Sequence, residues 1–154
     1  MDAKVKLSRY HRIQKQLADL MLKSHNPISR MATIVALLHH KFDDYFWTGF
    51  YFVNNGILEV GPYQGPMACQ ELMPGKGVCW EAYSKSKTVI VPDVSLFPGH
   101  IACNSLSKSE IVIPVFDKYN KVFAVLDVDS KKLNAFDESD ASELEEIVKL
   151  LILF

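Results

Sequence analysis

Two aspartates near the C-terminus, Asp127 and Asp129, are separated by one residue within an apolar run. Because side chains alternate between the two faces of a β-strand, the two carboxyls point to the same face of the sheet. If the turn before this strand centres near Tyr119, the register of the preceding strand places Glu110 beside the pair. The sequence therefore predicts a cluster of three acids from two neighbouring strands.

Three carboxylates in one cluster repel one another, and proteins resolve such repulsion in three ways. A bound cation, the ammonium group of a ligand, or a proton held on one carboxyl with a raised pKa would each do so, and each would be a function. The spacing alone is equally consistent with an acidic strand face that is simply exposed to solvent.

The three cysteines of the chain, Cys69, Cys79 and Cys103, lie within 35 residues of proline-rich, irregular sequence. Cys103 follows a proline and glycine loop and comes shortly before the strand that holds Glu110, which places it within reach of the acids. A catalytic thiol needs access and thiolate character, which exposed backbone N–H groups favour. The alternative is a buried, inert cysteine, because free cysteine is among the most buried residue types.

Other chemistry is less favoured by the pattern. There is no C-x-x-C pair, and nine residues separate Cys69 from Cys79 rather than the two to four of common zinc sites, so no metal is predicted. The odd number of cysteines argues against a structural disulfide framework. His100 is a candidate base, although a loop histidine more often forms hydrogen bonds or faces solvent. Trp47 is a candidate pocket residue, although an aromatic residue in a strand is more often core.

Length and composition predict one domain over residues 1–154, with 49% hydrophobic and 23% charged residues. The formal net charge is -1 and neither sign forms a long run, so no nucleic-acid partner is predicted. No apolar stretch approaches the ~20 residues that cross a bilayer, and the N-terminus is polar rather than a signal peptide. We therefore predict no membrane association and a cytoplasmic location.

The elements that must position the acids and thiols can be read from the periodicity of the chain. Their order predicts an α/β domain of the α+β type, with a mostly antiparallel central sheet and with the N- and C-terminal helices packed on one face. Asn26 is the predicted cap of the second helix, and an Asn-Asn-Gly turn closes the first hairpin. The predicted elements are a helix through Val5–Met21, a helix from Pro27, a hairpin of Phe46–Val53 and Ile57–Val60, a short helix from about Val78 to Ser84, strands Glu110–Phe116 and Val122–Asp129, and a helix capped by Asp137.

A set of specific motifs lies between about Asp44 and Phe136. They are Trp47-Thr48-Gly49-Phe50-Tyr51, Gly61-Pro62-Tyr63-Gln64-Gly65, Ala68-Cys69, Gly75-Lys76-Gly77-Val78-Cys79, Val91-Pro92-Asp93-Val94, Pro98-Gly99-His100-Ile101-Ala102-Cys103, Asn104 to Glu110 and Val125-Leu126-Asp127-Val128-Asp129-Ser130. Together they closely resemble the free methionine-(R)-sulfoxide reductases. The motifs are specific to that family, because generic GAF domains do not carry the three cysteines together with the G-H-I-A-C loop.

The resemblance implies a GAF-like single domain and a nearly enclosed pocket for free methionine (R)-sulfoxide. It implies that Cys103 is the nucleophile, that Cys69 is the resolving thiol and that Cys79 is an alternative or auxiliary thiol. The implied reaction reduces the sulfoxide to methionine through a sulfenic acid and then a disulfide, which a thioredoxin-type reductant restores to thiols. No cofactor is implied. A homodimer and a role in oxidative stress are further expectations from the resemblance.

The resemblance also assigns the substrate contacts. Glu110, Asp127 and Asp129 would bind the substrate ammonium and the polarised sulfoxide oxygen, while Trp47 and Tyr51 would pack against the S-methyl group. A carboxyl kept neutral by like-charged neighbours is a suitable acid for that oxygen.

One residue departs from the family pattern. Trp80 follows Cys79 where the family usually has glycine, so we expect an altered pocket wall or resolving loop.

The alternative function is a small-molecule-binding or redox-sensing GAF module without catalysis, for which three thiols are not needed.

Overall fold

The computed structural model describes residues 1–100 and 103–152. Ile101 and Ala102, which belong to the G-H-I-A-C motif, and Leu153 and Phe154, at the end of the predicted domain, lie outside the described residues. Within the described part, the elements are α1 (Ala3–Met21), α2 (Pro27–Lys41), β1 (Trp47–Asn54), β2 (Ile57–Gln64), β3 (Glu71–Leu72), α3 (Val78–Lys85), β4 (Val89–Val91), a 3-10 helix (Val94–Leu96), β5 (Ser109–Phe116), β6 (Val122–Ser130) and α4 (Glu138–Lys149).

The six strands form one antiparallel sheet with the order β3-β2-β1-β6-β5-β4. Both predicted hairpins are confirmed, and Asn55 and Gly56 supply the positive φ angles, 49° and 81°, of the first hairpin turn. The pairing of β1 with β6 joins the two hairpins at the centre of the sheet. Sequence periodicity did not predict β3, because a two-residue strand is too short to show a period.

The helices divide between the two faces of the sheet. Helices α1, α2 and α4 cover one face, which we call the helical face, as predicted for the N- and C-terminal helices. Helix α3 lies with a smaller apolar cluster against the other face, which we call the pocket face. Because side chains alternate along β5 and β6, Ile111 and Leu126 belong to the helical face while Val112 and Val125 belong to the pocket face.

Local capping explains where the helices begin. The Asn26 side chain accepts a hydrogen bond from the Ile28 backbone N–H at 2.9 Å, as predicted. Asp137 and Asp140 form a reciprocal capping box at the start of α4. Among the described residues, none of the helices is both long and apolar enough to cross a membrane.

Candidate active site

The strand register brings the three predicted acids together on the pocket face. Glu110 on β5 lies directly opposite Asp129 on β6, and Asp129 lies opposite Trp47 on β1. Asp127 lies two residues along on the same face, opposite Gly49. Glu110 and Asp127 are only 5% and 6% exposed, so the acids do not form a solvated strand face.

The electrostatics of this cluster favour bound protons. Burial is the main cause that raises the pKa of Glu110 and of Asp129 well above the usual range, and repulsion from neighbouring carboxylates adds to it. Burial also raises the pKa of Asp127 to about 6. Hydrogen bonding links the carboxyls of Glu110 and Asp127, which requires that one of them carry a proton.

Cys69 and Cys103 are joined by a disulfide, with their Cα atoms 5.5 Å apart. Cys69 lies in the segment between β2 and β3, and Cys103 lies between the 3-10 helix and β5. Cys103 is exposed and Cys69 is half-buried. The bond therefore links two surface loops beside the cluster of acids instead of fastening two elements of the core.

Cys79 is the free thiol of the chain and is buried in the first turn of α3. Its sulfur and one carboxylate oxygen each from Glu110 and Asp127 lie within 4.8 Å of one another. Burial raises the pKa of the Cys79 thiol, and the charges of the nearby acids raise it further. The thiol is consequently protonated at neutral pH and hydrogen-bonds to Asp127.

An aromatic wall stands beside the acids. The rings of Trp47 and Tyr51 stack with centroids 5.7 Å apart. Trp47 Nε1 donates to the Pro66 carbonyl at 3.1 Å, and the Tyr51 hydroxyl donates to the Cys69 carbonyl at 3.1 Å. A Cβ on Gly49 would lie 2.5 Å from Cη2 of Trp47, so glycine at this position makes room for the indole ring.

These groups line one cavity of about 60 Å³. Seven of the eight predicted site residues lie on its wall, and the eighth, Cys69, is joined to it by the disulfide to Cys103. The lining residues are Trp47, Tyr51, Met67, Ala68, Leu72, Lys76, Gly77, Val78, Cys79, His100, Cys103, Asn104, Ser107, Glu110, Asp127 and Asp129. The cavity thus combines a disulfide bond, which can be reduced and re-formed, with buried acids and an apolar wall.

Two residues beyond the eight predicted site residues matter for the acids, and one of them, His100, is the candidate base of the sequence analysis. The Ser107 side chain hydrogen-bonds to Asp129, which lowers the pKa of that carboxyl against the larger effect of burial. No spacing in the sequence singled out Ser107. His100 Nδ1 lies 3.9 Å from Glu110 Oε2, and burial lowers the pKa of His100. A neutral His100 does not offset the charge of the acids at neutral pH.

Trp80 does not form part of the wall. Among the described residues that line the cavity, Trp80 is absent, and its Nε1 donates to the Leu72 carbonyl at 2.9 Å. Leu72 itself lines the cavity, so the expectation that Trp80 alters the pocket wall or the resolving loop stays a prediction.

Comparison with known proteins places the chain in a family. Residues 26–151 match the model of the GAF domain, described as GAF_2. The chain is 48% identical over 147 residues to GAF domain-containing protein A of Dictyostelium discoideum, covering 95% of this chain and 92% of the relative. The chain belongs to the GAF domain family.

Two further relatives define the group within that family. The chain is 39% identical to the free methionine-R-sulfoxide reductase of Saccharomyces cerevisiae, covering 82% of this chain and 74% of the relative. The structure of free methionine-R-sulfoxide reductase from Neisseria meningitidis in complex with its substrate superposes with a TM-score of 0.92 at 40% identity, covering 98% of this chain and 89% of that one. Within the GAF domains, this chain is a member of the free methionine-R-sulfoxide reductase family.

Proposed function

We propose that the protein reduces free L-methionine (R)-sulfoxide to L-methionine. The observation that carries this proposal is a disulfide between Cys69 and Cys103 at the wall of a cavity that also holds three buried acids. The relatives from Saccharomyces cerevisiae and Neisseria meningitidis, named for this activity, support the same reaction.

The acids explain how a sulfoxide is activated. The sulfur of a sulfoxide becomes electrophilic when its oxygen is protonated or accepts a strong hydrogen bond. The hydrogen-bonded pair of Glu110 and Asp127 holds a proton at neutral pH, because burial raises the pKa of Glu110 well above its usual range. One of these carboxyls is our proposed general acid for the sulfoxide oxygen.

The thiols then carry the two electrons. The Cys103 thiolate attacks the activated sulfur and forms an S–S bond to the substrate. The protonated oxygen then passes from that sulfur to the sulfur of Cys103, the S–O and S–S bonds of the substrate sulfur break, methionine leaves with the electron pair, and Cys103 becomes a sulfenic acid. The Cys69 thiolate attacks the sulfur of that sulfenic acid, forming the disulfide and releasing water. Two thiols are oxidised for each sulfoxide reduced, and the Cα separation of 5.5 Å suits this bond.

The same acids favour a free amino acid over a peptide-bound residue. A free amino acid carries an α-ammonium group. This group offsets the negative charge of the clustered carboxylates, which have no positively charged partner within the cluster. Asp129 is half-buried and is our proposed ammonium ligand, together with the ionised member of the Glu110 and Asp127 pair. We assign Trp47 and Tyr51 to the S-methyl group, because both rings line the cavity.

The regenerating reductant in this proposal is a thioredoxin-type dithiol. Cys103 is exposed, so an incoming thiolate reaches the disulfide from solvent. A homodimer and a cytoplasmic location stay predictions from the sequence. Light scattering of the purified protein tests the first, and fractionation of cells tests the second.

The decisive experiment is turnover of the two separated epimers of free methionine sulfoxide with thioredoxin, thioredoxin reductase and NADPH. We expect consumption of the R epimer alone, loss of turnover with Cys103→Ser, and weak turnover of N-acetylmethionine sulfoxide, which lacks the ammonium group. Consumption of the S epimer alone would refute the proposal. Binding of the R epimer without turnover by the reduced protein would favour the sensing module instead.

A further inference from the structure

Cys79 is a buried nucleophilic group that the proposed reaction does not use. The disulfide joins the other two cysteines, and Cys79 is held by α3 against the acids of β5 and β6. A substrate ammonium group needs carboxylates but gains nothing from a thiol. The presence of sulfur between two acids therefore needs a separate physical account.

We propose that Cys79, Glu110 and Asp127 form a binding site for a divalent transition-metal ion of the Zn²⁺ class. One ligand atom from each residue lies within 4.8 Å of the other two. Tetrahedral zinc places its sulfur and oxygen ligands roughly 3.3–3.7 Å apart, so side-chain movements of about 1 Å complete the site. The bound cation would share the space that we assign to the substrate ammonium.

Unpartnered polar atoms in the cavity are a second observation that points to a missing ligand. Asp127 is only 6% exposed, yet its Oδ1 meets no N–H or hydroxyl donor within the described ranges, and the residue lines the cavity. His100 Nδ1 is likewise buried without a partner there and lies 3.9 Å from Glu110 Oε2. Buried polar atoms without partners are rare, and a cation bound by Cys79, Glu110 and Asp127 would satisfy the Asp127 oxygen.

The donor set selects the class of ion. A thiolate beside two carboxylates suits Zn²⁺ and its neighbours, whereas Mg²⁺ and Ca²⁺ prefer oxygen ligands alone. The sequence predicted no metal because no pair of ligands lies at zinc-site spacing. These ligands come from α3, β5 and β6, so linear spacing does not reveal them.

The disulfide form of the protein gives a clean test, because Cys79 is then the one free thiol. Zn²⁺ is titrated into metal-free protein by calorimetry without reductant, and Mg²⁺ is titrated in parallel. We expect one Zn²⁺ per chain, at least about tenfold weaker binding in Cys79→Ser, and no saturable binding of Mg²⁺. The matched control is His25→Ala, which removes an exposed histidine and should bind Zn²⁺ as the wild type does.

Cobalt provides a second readout that reports the ligand itself. Co²⁺ bound to a thiolate gives a charge-transfer absorption band, which we expect in the wild type and in His25→Ala but not in Cys79→Ser. Asp127→Asn should weaken Zn²⁺ binding while keeping the thiol, and it serves if Cys79→Ser does not fold. Equal Zn²⁺ affinity in wild type, Cys79→Ser and Asp127→Asn would overturn the metal site, as would equal loss in His25→Ala.

Only the shared space rests on the proposed function. Free methionine (R)-sulfoxide should raise the apparent Kd for Zn²⁺ in the same titration. If Zn²⁺ binds through Cys79 but the sulfoxide does not compete, the overlap is wrong while the metal site stands. Turnover of the two epimers in metal-free buffer judges the reductase activity separately.

Discussion

The two faces of the sheet bury acids in opposite ways. On the helical face, Asp140 is 2% exposed and each of its oxygens has a partner. Lys6 Nζ lies 2.7 Å from Oδ2, and the Tyr10 hydroxyl donates to Oδ1 at 2.8 Å. The Asp137 backbone N–H also donates to Oδ2 at 2.8 Å. A buried carboxylate with this set of donors ties α1 to the start of α4.

On the pocket face, the acids have one another as neighbours instead. Asp127 is almost as buried as Asp140, but its hydrogen-bonding neighbours are Glu110 and Cys79. Neither of these side chains carries a positive charge in any protonation state. A buried charge without a cation costs folding free energy, whereas the same charge is available to a ligand. The comparison teaches that burial alone does not distinguish a structural acid from a functional one; the partners do.

The largest effect is expected from substitution of Cys103, the proposed nucleophile beside the pocket face. Cys103→Ser should lower kcat/KM for free methionine (R)-sulfoxide by more than ~10³-fold, because the serine hydroxyl does not form the thiolate that attacks sulfur. Steady-state turnover with thioredoxin measures this loss. The thermal midpoint of the variant should match that of the reduced wild type, which excludes unfolding as the cause. Activity within tenfold of wild type would contradict the assigned nucleophile.

Asp127→Asn comes next and tests the pocket face as a functional region. We expect kcat/KM to fall about 10²–10³-fold, because an amide neither shares the proton of the Glu110 pair nor supplies carboxylate charge to the substrate ammonium group. The free energy of unfolding should hold steady or rise by about 1–2 kcal/mol, because the amide removes like-charge repulsion. Urea unfolding at pH 7 measures the second quantity. A clear loss of stability would mean that Asp127 is structural.

Asp140→Asn is the matched substitution on the helical face. It should lower the free energy of unfolding by about 2–3 kcal/mol, since Lys6 and Tyr10 lose the carboxylate they share. Turnover per folded molecule should stay within about twofold of wild type. The opposite signs of the two Asp→Asn changes would establish the contrast between the faces, and equal signs would remove it.

Much of this contrast follows from the sequence. Alternation along Val125 to Asp129 placed two acids on one face, and the turn near Tyr119 placed Glu110 beside them, as the strand register confirms. Local signals also predicted the Asn26 cap and the first hairpin turn. These features depend on neighbours in the chain or on one short turn, so a single sequence contains the information.

Long-range partners could not be predicted in this way. The pairing of β1 with β6 brings Trp47 opposite Asp129 across about 80 residues of chain, and no local period encodes it. Asp140 reads as an ordinary first-turn acid of α4, yet its partner Lys6 lies 134 residues away. The sequence likewise does not show that α3 turns Cys79 toward the acids.

The pH dependence of stability should differ in sign between the faces. The pKa of Asp127 rises from 3.8 to about 6 on folding, so its contribution is fully present below pH ~4 and is lost as the pH rises through ~6. On the helical face, the hydrogen bond from Ser139 and the nearby Lys6 lower the pKa of Asp137, so its contribution is lost as the pH falls below ~4.

Urea unfolding between pH 4 and 7 measures the Asp127 side of this difference. The free energy of unfolding of the wild type should fall by about 1–2 kcal/mol from pH 4.5 to 6.5, and Asp127→Asn should flatten that slope. Wild type and Asp127→Asn with the same slope would show that Asp127 does not take up a proton on folding.

The smallest effect is expected at Ser107, where the loop after Cys103 contacts the acids. The Ser107 side chain lowers the pKa of Asp129, so Ser107→Ala should raise that pKa and leave the carboxyl less able to bind an ammonium group. Losing one hydrogen bond to a charged group costs about 1 kcal/mol, which is roughly fivefold in kcat/KM at pH 7. The fall should lie mainly in KM and should shrink as the pH rises, because higher pH restores the ionised carboxylate. Ser105→Ala, which changes an exposed serine two residues earlier, is the control, and an equal effect in both variants would assign the change to the loop rather than to Asp129.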